Sequence, residues 1–509
     1  MKTNVRRAAA QRRAAARNRT SPIPPRTSRR AAARRVGRDV FVTIEEVLEV
    51  TGGKLLSGQG RPHAAIRRLW TDSRTIARGD LFVALPGERF DGHQFVAKVL
   101  QQGAAGALVS LEGWPGVRAQ LPAKDQALII AVPDPLLAYQ QLAAYHRQRF
   151  AIPVIAVTGS NGKTTTKEMT AHVIGERWPV LKTEGNFNNR IGVPHTLLRL
   201  TPRHRAAVIE MGVDHRGQTT RLGEIARPTI GMITNIGPDH LEFFGTLDAS
   251  AEAKGELLDL LPEDGWAVLN ADDPYFGYLA ARARCRVISF GMNASADVRA
   301  VHVVQNGRKG MQFDLILPGR SRPTPVVLPT HGSHNLLNAL AAAAVGHVCE
   351  ISGTRIARAL TRFKPAAMRS QIESGRGTTI INDCYNANPA SMNAALDLLA
   401  EMGKGRRTIA VLGDMLELGP TGPQLHRDVG RYAAMRDVTT LIACGPLSRE
   451  LAAGARAAGL AADRVREAAD AAAASALVLS LAQSGDLVLV KGSRGMQLEK
   501  VVEALKSER

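Results

Sequence analysis

The sequence predicts an α/β protein of three domains built on mostly parallel sheets. Three observations predict it. A chain of 509 residues is longer than one hydrophobic core organises, so several domains are expected. Short runs rich in Val, Ile and Leu recur, each followed by a polar or Gly-bearing turn and then by helix-forming sequence, which implies strands joined by helices. In "IPVIAVTGSNGKTTTKEMT", from Ile152 to Thr170, a β-branched strand passes through a Gly-rich turn into a helix, the setting of a phosphate-binding loop.

Residues 1–38 contain twelve Arg, one Lys and no acid, which is thirteen of the chain's twenty net positive charges. The other 471 residues carry 53 basic and 46 acidic groups, so the positive excess belongs mainly to this tail. It lacks the large apolar residues a core needs and is expected to be disordered. Four readings of it stay open: a solvated extension, an over-extended gene start, an anionic-polymer binder and a transit peptide.

The first domain is expected over 40–140. There "ARGD" reads as a turn, "LFVAL" as a strand and the following segment as a helix ended by Gly103. The central domain is expected over 150–365. Its strands are read in "IPVIAV", "AAVIE", "TIGMIT" and "WAVLN", and a helix in "SHNLLNALAAAAVG". The third domain, 366–509, repeats strand-then-loop units in "TTIIND", "TIAVLG", "TLIAC" and "LVLVK", a Rossmann-like pattern. No apolar run reaches the roughly 18 to 20 residues of a membrane-spanning helix, so no membrane insertion is expected. Cys285, Cys349, Cys384 and Cys444 are scattered without a C-x-x-C pair, which fits a reducing cytoplasm and neither a disulfide framework nor a zinc site.

The loop itself carries chemistry. Gly159, Ser160, Asn161 and Gly162 are small enough to turn backbone N–H groups toward phosphate oxygens at a helix start. Lys163 is placed to reach phosphates, and Thr164 and Thr165 follow with hydroxyls, that of Thr164 suited to Mg²⁺. The usual longer motif wants Gly at position 157, where this chain has Val157. In open α/β sheets ligands sit at the carboxyl ends of strands. Glu210 ends "AAVIE" and His240 follows "TIGMITNIGPD", so both are candidates for a Mg²⁺ shell. Read alone, Glu210 is equally a strand-end charge and His240 a loop histidine.

In order along the chain come "TGSNGKTTT", "TEGNFNNRIGVP", "IEMG", "NIGPDHLEFFG", "KGELLDLL", "HGSHNLLNALAA" and "DCYNANPASM". Together they resemble the Mur ligase family, ATP-dependent amide-forming enzymes of peptidoglycan precursor synthesis, from about Val42 to the C-terminus. The shortened phosphate loop matches that family's form. "YNANPASM" and "LGDMLELG" resemble the branch that adds D-alanyl-D-alanine to UDP-N-acetylmuramoyl-tripeptide, and the D-N-P-R string of the branch that adds residue three is missing.

The resemblance implies a first domain that binds the UDP-muramoyl substrate, a central ATPase domain and a Rossmann-like third domain. It implies ATP and Mg²⁺, a carboxylate activated as an acyl phosphate, and a monomer. It assigns Gly159 through Thr165 to ATP and Mg²⁺, Glu210 and His240 to the metal, Asn335 to adenine, Arg369 to the phosphates and Asp383 to ribose. Ser73 and Arg74 of "TDSR" would face the UDP-sugar, although a plain surface turn fits their spacing equally. Thr183, Asn186, Asn188 and Asn189 would line the acceptor channel. Asn386, Asn388 and "LGDM" would lie near the dipeptide. Lys254 reads as a solvated helix lysine from sequence alone, whereas the resemblance implies an N-carbamylated metal ligand.

Other classes fit less well. A sister ligase adding lysine or diaminopimelate is the nearest alternative, and a folylpolyglutamate-type ligase would lack the first domain. A P-loop GTPase wants N-K-x-D, which is absent. A specific nucleic-acid partner is not expected, because aromatics are only 4% and the basic excess is in the tail.

Overall fold

The structure, a computed structural model, describes residues 41–58, 66–87, 90–122, 127–306 and 309–507. The basic segment 1–38, expected to be disordered, lies outside the described residues.

Three sheets follow in sequence. The first runs β1 (Lys54–Ser57), β5 (Leu128–Val132), β4 (Gly106–Ser110), β3 (Asp80–Val83), β2 (Arg68–Trp70) across its width, parallel except for β1. Successive strand side chains alternate between its faces. Leu81, Val83, Leu108 and Ile130 therefore pack in one core, with Val47 and Leu142 of the flanking helices Ile44–Thr51 and Pro135–Gln148. Phe82, Val109 and Ile129 pack in another, with Val96 and Val99 of helix Val96–Gln101. Burial on both sides is why these strands read as continuous apolar runs.

The central sheet has nine strands: β6 (Val154–Thr158), β7 (Val180–Lys182), β8 (Ala206–Glu210), β9 (Ile230–Ile233), β10 (Trp266–Asn270), β11 (Arg286–Gly291), β12 (Val298–Gln305), β13 (Met311–Ile316) and β14 (Thr324–Leu328). Their order is 14-13-12-11-10-9-6-8-7. β6 lies between β8 and β9, both parallel to it, so the chain leaves β6 first to one side and later to the other. Such a switch point opens a crevice at the carboxyl end of the strand. The last three strands, β12 to β14, pair antiparallel. The sequence reading named no strand between Asp272 and Thr330. In β13 and β14 alternate burial, as in β14 with only Val326 and Leu328 buried, hides the apolar run that marked the others.

The third sheet runs β15 (Gln371–Gly375), β16 (Thr378–Asp383), β20 (Leu487–Lys491), β17 (Thr408–Gly413), β18 (Thr440–Cys444), β19 (Val465–Ala468), parallel except for β15. The helices Pro389–Met402 and Gly422–Met435 cover one face, and Ala471–Leu481 and Glu499–Lys506 the other. The Ala-rich helix thus has a packing role, through Ala474 and Val478.

Candidate active site

The phosphate loop leaves the carboxyl end of β6 with two glycines that no other residue replaces. Gly159 has φ 137°, and a Cβ there would sit 2.0 Å from Thr234 Oγ1. Gly162 has φ 78°, and its Cβ would meet Asn338 Oδ1 at 2.4 Å. Val157, where a longer loop would have glycine, is a fully buried strand residue. Helix Lys163–Gly175 starts after Gly162 with no side-chain cap, so its first-turn N–H groups are left for a ligand. The Lys163 ammonium folds back on the loop, donating to the carbonyls of Gly159 (2.6 Å) and Ser160 (3.0 Å).

Glu210, 2% exposed at the end of β8, stands across from that helix. Its Oε1 accepts from Thr164 Oγ1 (3.1 Å) and Asn188 Nδ2 (2.9 Å), while its Oε2 is buried without a hydrogen bond. The fully buried Lys167 lies behind, 3.8 Å from that oxygen. Its ammonium donates to the Thr183 carbonyl (2.7 Å) and pairs with Glu168 (2.8 Å), which also holds Lys182. Burial pushes the Glu168 carboxyl up, but Lys167 and Lys182 outweigh it and hold the group below the usual carboxylate range.

His240 sits beyond β9 in a left-handed conformation, φ 49°. Its neighbour Asp239 is buried beneath the loop, with Oδ1 2.6 Å from Ser160 Oγ and 3.0 Å from Lys254 Nζ. Lys254 is only 1% exposed and also donates to Ser250 Oγ at 2.6 Å. Burial lowers its ammonium to about 8 against the opposing pull of Asp239. Burial would raise the Asp239 carboxyl, yet Lys254 and Lys163 keep it low.

The opposite wall comes from the third domain. Arg369 donates to Thr164 Oγ1 (2.9 Å) and stacks 4.0 Å from the Tyr385 ring. Asp383, ending β16, accepts from the Ser370 N–H (2.9 Å) and from Lys491 Nζ (2.6 Å). Lys491 reaches the Asn386 carbonyl as well. Asn388 caps the helix Pro389–Met402 with Oδ1, and its Nδ2 donates to Asn161 Oδ1 at 2.8 Å. From the central domain, Asn335 anchors its amide on the His331 carbonyl (2.9 Å).

These walls enclose one cavity of about 620 Å³. Ser160 through Thr165, Asn186, Asn188, Asn189, Glu210, His240, Asn335, Arg369, Asp383, Asn386 and Asn388 all line it, so the structure brings most of the candidates together. Five candidates are not among its lining. Gly159 shapes the loop from below. Thr183 is fully buried, its hydroxyl accepting from the Glu210 N–H, because β7 places it behind the wall and not in the expected channel. Lys254 turns to Asp239 and Ser250, which also corrects the solvated reading: its helix faces the core at that position. Ser73 and Arg74 lie on a turn of the first domain, where Arg74 pairs with Asp72 and its side chain is 85% exposed. Sequence reasoning missed Lys167, Asp239, Tyr385 and Lys491. Lys491 closes "LVLVK" as Glu210 closes "AAVIE", so the strand-end rule would have found it. Lys167 lies three residues after Thr164 on one helix face, a spacing that would have exposed it.

The donors suit two kinds of guest. An uncapped helix start with Lys163 and Arg369 suits a polyphosphate. The Thr164 hydroxyl beside the Glu210 carboxylate, on its Oε1 side, suits a hard cation. Among the described residues no three His, Cys, Asp or Glu side chains converge as a metal cage, so such a cation would complete its shell with water and phosphate oxygens. No helix among the described residues is long and apolar enough to cross a membrane.

The chain is similar to known proteins over most of its length. Family models match in three segments: the Mur ligase family catalytic domain over 65–147, the Mur ligase middle domain over 157–346 and the Mur ligase glutamate ligase domain over 368–494. The UDP-N-acetylmuramoyl-tripeptide–D-alanyl-D-alanine ligase of Bacillus subtilis is 36% identical over 91% of this chain and 98% of its own. The protein of that name from Synechocystis is 39% identical over 87% of this chain and 92% of its own. A crystal structure of MurF from Acinetobacter baumannii superposes with TM-score 0.80 at 32% identity, covering 91% of this chain and 98% of that one. MurF from Thermotoga maritima, in complex with ADP, gives TM-score 0.75 at 26% identity over 86% and 97%. The chain belongs to the Mur ligase family.

Proposed function

We propose that this chain joins D-alanyl-D-alanine to UDP-N-acetylmuramoyl-tripeptide at the expense of ATP, in the making of peptidoglycan precursors. One observation carries the reading. The phosphate loop, the Glu210 carboxylate and the third-domain residues Arg369, Asp383 and Asn388 share one cavity, in a chain 36% identical over nearly its whole described length to a ligase of that name.

A free carboxylate is a poor acyl donor, and transfer of the ATP γ-phosphoryl group to it supplies a leaving group. The dipeptide amine then displaces phosphate and forms the amide. The residues make this possible by positioning and by charge. The first-turn N–H groups of helix Lys163–Gly175 hold phosphate oxygens. Lys163, released from the Gly159 and Ser160 carbonyls, neutralises the transferred group from one side, and Arg369 does so from the third domain. Asn335 reads the adenine edge and Asp383, held by Lys491, the ribose. Thr164, Glu210 and His240 would hold Mg²⁺, which would offset phosphate charge. The amides of Asn186, Asn188 and Asn189 offer both donors and acceptors to the peptide carboxylate. Asn386 and Asn388 face the incoming dipeptide. Ser73 and Arg74, on the first domain, meet the UDP-sugar.

Phosphate release with UDP-muramoyl peptides of two and three residues, each paired with D-Ala-D-Ala or with single amino acids, tests the reading. The tripeptide with D-Ala-D-Ala should be strongly preferred. Efficient coupling of lysine or diaminopimelate to the dipeptide acceptor would overturn it in favour of the sister ligase.

A further inference from the structure

The motif "LGDMLELG" has no part in the cavity, yet the structure gives one of its residues a partner there. Its first residues close β17 and the rest form a loop of the third domain. That loop is pinned on its own domain: the Met415 N–H donates to His426 Nε2 (2.9 Å), the Leu416 N–H to Ser493 Oγ (2.9 Å), and Met415 and Leu418 are buried. Glu417, between them, projects out. Its carboxylate lies 2.7 Å from His240 Nδ1 of the central domain, and its carbonyl accepts from the Glu242 N–H at 3.4 Å. At Gly419 a Cβ would already meet Glu242 Cα at 3.3 Å, so the two loops are in close contact.

Both partners hold costly backbone. Glu417 has φ 63° and His240 φ 49°, a region that favours glycine or asparagine. A glutamate kept at such a position is explained if its side chain is used. The histidine needs a partner too: Nδ1 is buried and makes no aligned hydrogen bond, Glu417 standing at ion-pair distance but off the bonding line.

Resting on the function proposed above, we infer that Glu417 is a positioning residue that reaches from the third domain to orient the His240 imidazole. A carboxylate on Nδ1 fixes the ring and its tautomer and leaves Nε2 as the nitrogen available to the cavity. Docking of the third domain thereby sets the imidazole that lines the cavity with Thr164 and Glu210, and ties it to the domain that brings the amine.

Manganese binding to the full-length enzyme with ADP, followed by electron paramagnetic resonance, tests this without any acceptor peptide. E417A should weaken Mn²⁺ roughly tenfold, within the range known for lost outer partners of metal-bound histidine. E417Q, which still offers an oxygen to Nδ1, should stay within about threefold of wild type. In turnover assays E417A should raise the Mg²⁺ requirement and leave the KM for D-Ala-D-Ala unchanged. Unchanged Mn²⁺ affinity in E417A overturns the inference. So does a raised dipeptide KM with Mn²⁺ affinity intact, which would assign Glu417 to the substrate amine. If the wild type fails to use D-Ala-D-Ala at all, the Mn²⁺ comparison still decides the role of Glu417 by itself.

Discussion

Lys167 and Glu210 face each other in the dry wall behind the phosphate loop, ammonium to Oε2 at 3.8 Å, with exposures of 0% and 2%. The same helix presents Thr164 to the other oxygen of that carboxylate. One rigid element thus carries the phosphate loop and sets the carboxylate. Replacing Lys167 by Met leaves Glu210 buried without its cation, while Glu168 keeps Lys182. The expected cost is on the order of 3–5 kcal/mol, the range for breaking a buried pair by removing one partner. Urea unfolding of the variant measures it, and an unchanged midpoint would refute the assignment.

In the proposed reaction Lys163 would bring charge to the transferred group, and it contributes little packing, since its ammonium hydrogen-bonds only loop carbonyls. Lys163→Ala should fold normally and lose about 10³-fold or more in turnover. Near-normal phosphate release from a folded variant would remove the phosphate-loop role.

Lys254 gives a different pattern. With its ammonium lowered to about 8, a sizeable neutral fraction exists near neutral pH, and a neutral amine is the form that carbon dioxide carbamylates. A carbamate is anionic and offers two hard oxygens. Lys254→Ala should be nearly inactive and partly restored by acetate, whereas Lys254→Arg should stay inactive. The alanine variant also leaves Asp239 without its buried partner, so activity is compared at a temperature well below its melting point. Full activity in Lys254→Arg would exclude carbamylation.

His146 supplies an acid-sensitive joint. It is buried, packs against the rings of Phe41 (tilted) and Phe150 (edge-on), and lies 3.0 Å from the Leu200 carbonyl. Burial lowers its pKa to about 4 from 6.5. The unfolded chain therefore binds the proton that the folded chain refuses. The stability from neutral His146 is complete above pH 6.5 and is lost as pH falls from there toward 4. The full effect is on the order of 3 kcal/mol. In melting curves between pH 7 and 4, His146→Gln should lose less stability than wild type. Parallel curves for the two proteins would contradict the assignment.

The fold was legible where local pattern suffices. Runs such as "IPVIAV" and "LVLVK" are apolar because both faces of their sheets are covered, and the phosphate loop is encoded within ten residues of chain. The place of Glu210 at the end of its strand was legible for the same reason, although read alone it was equally a plain strand-end charge. The antiparallel strands 298–328 were missed because half their side chains face water and their composition resembles a loop.

Thr183, Lys254 and Glu417 show what the chain's order could not fix. Whether Thr183 faces the cavity or the core depends on the register of β7 against β8. Lys254 is buried only because its helix packs beside the Asp239 loop, fifteen residues away. Glu417 meets His240 only when two domains dock, across 177 residues of sequence. The sequence by itself determined the buried strands, their order and the Gly-rich loop at the helix start, since backbone conformation and burial periodicity are local properties. The tertiary structure alone decided which charges face each other, because that depends on strand register and domain contact, which bring together side chains with no short-range relation.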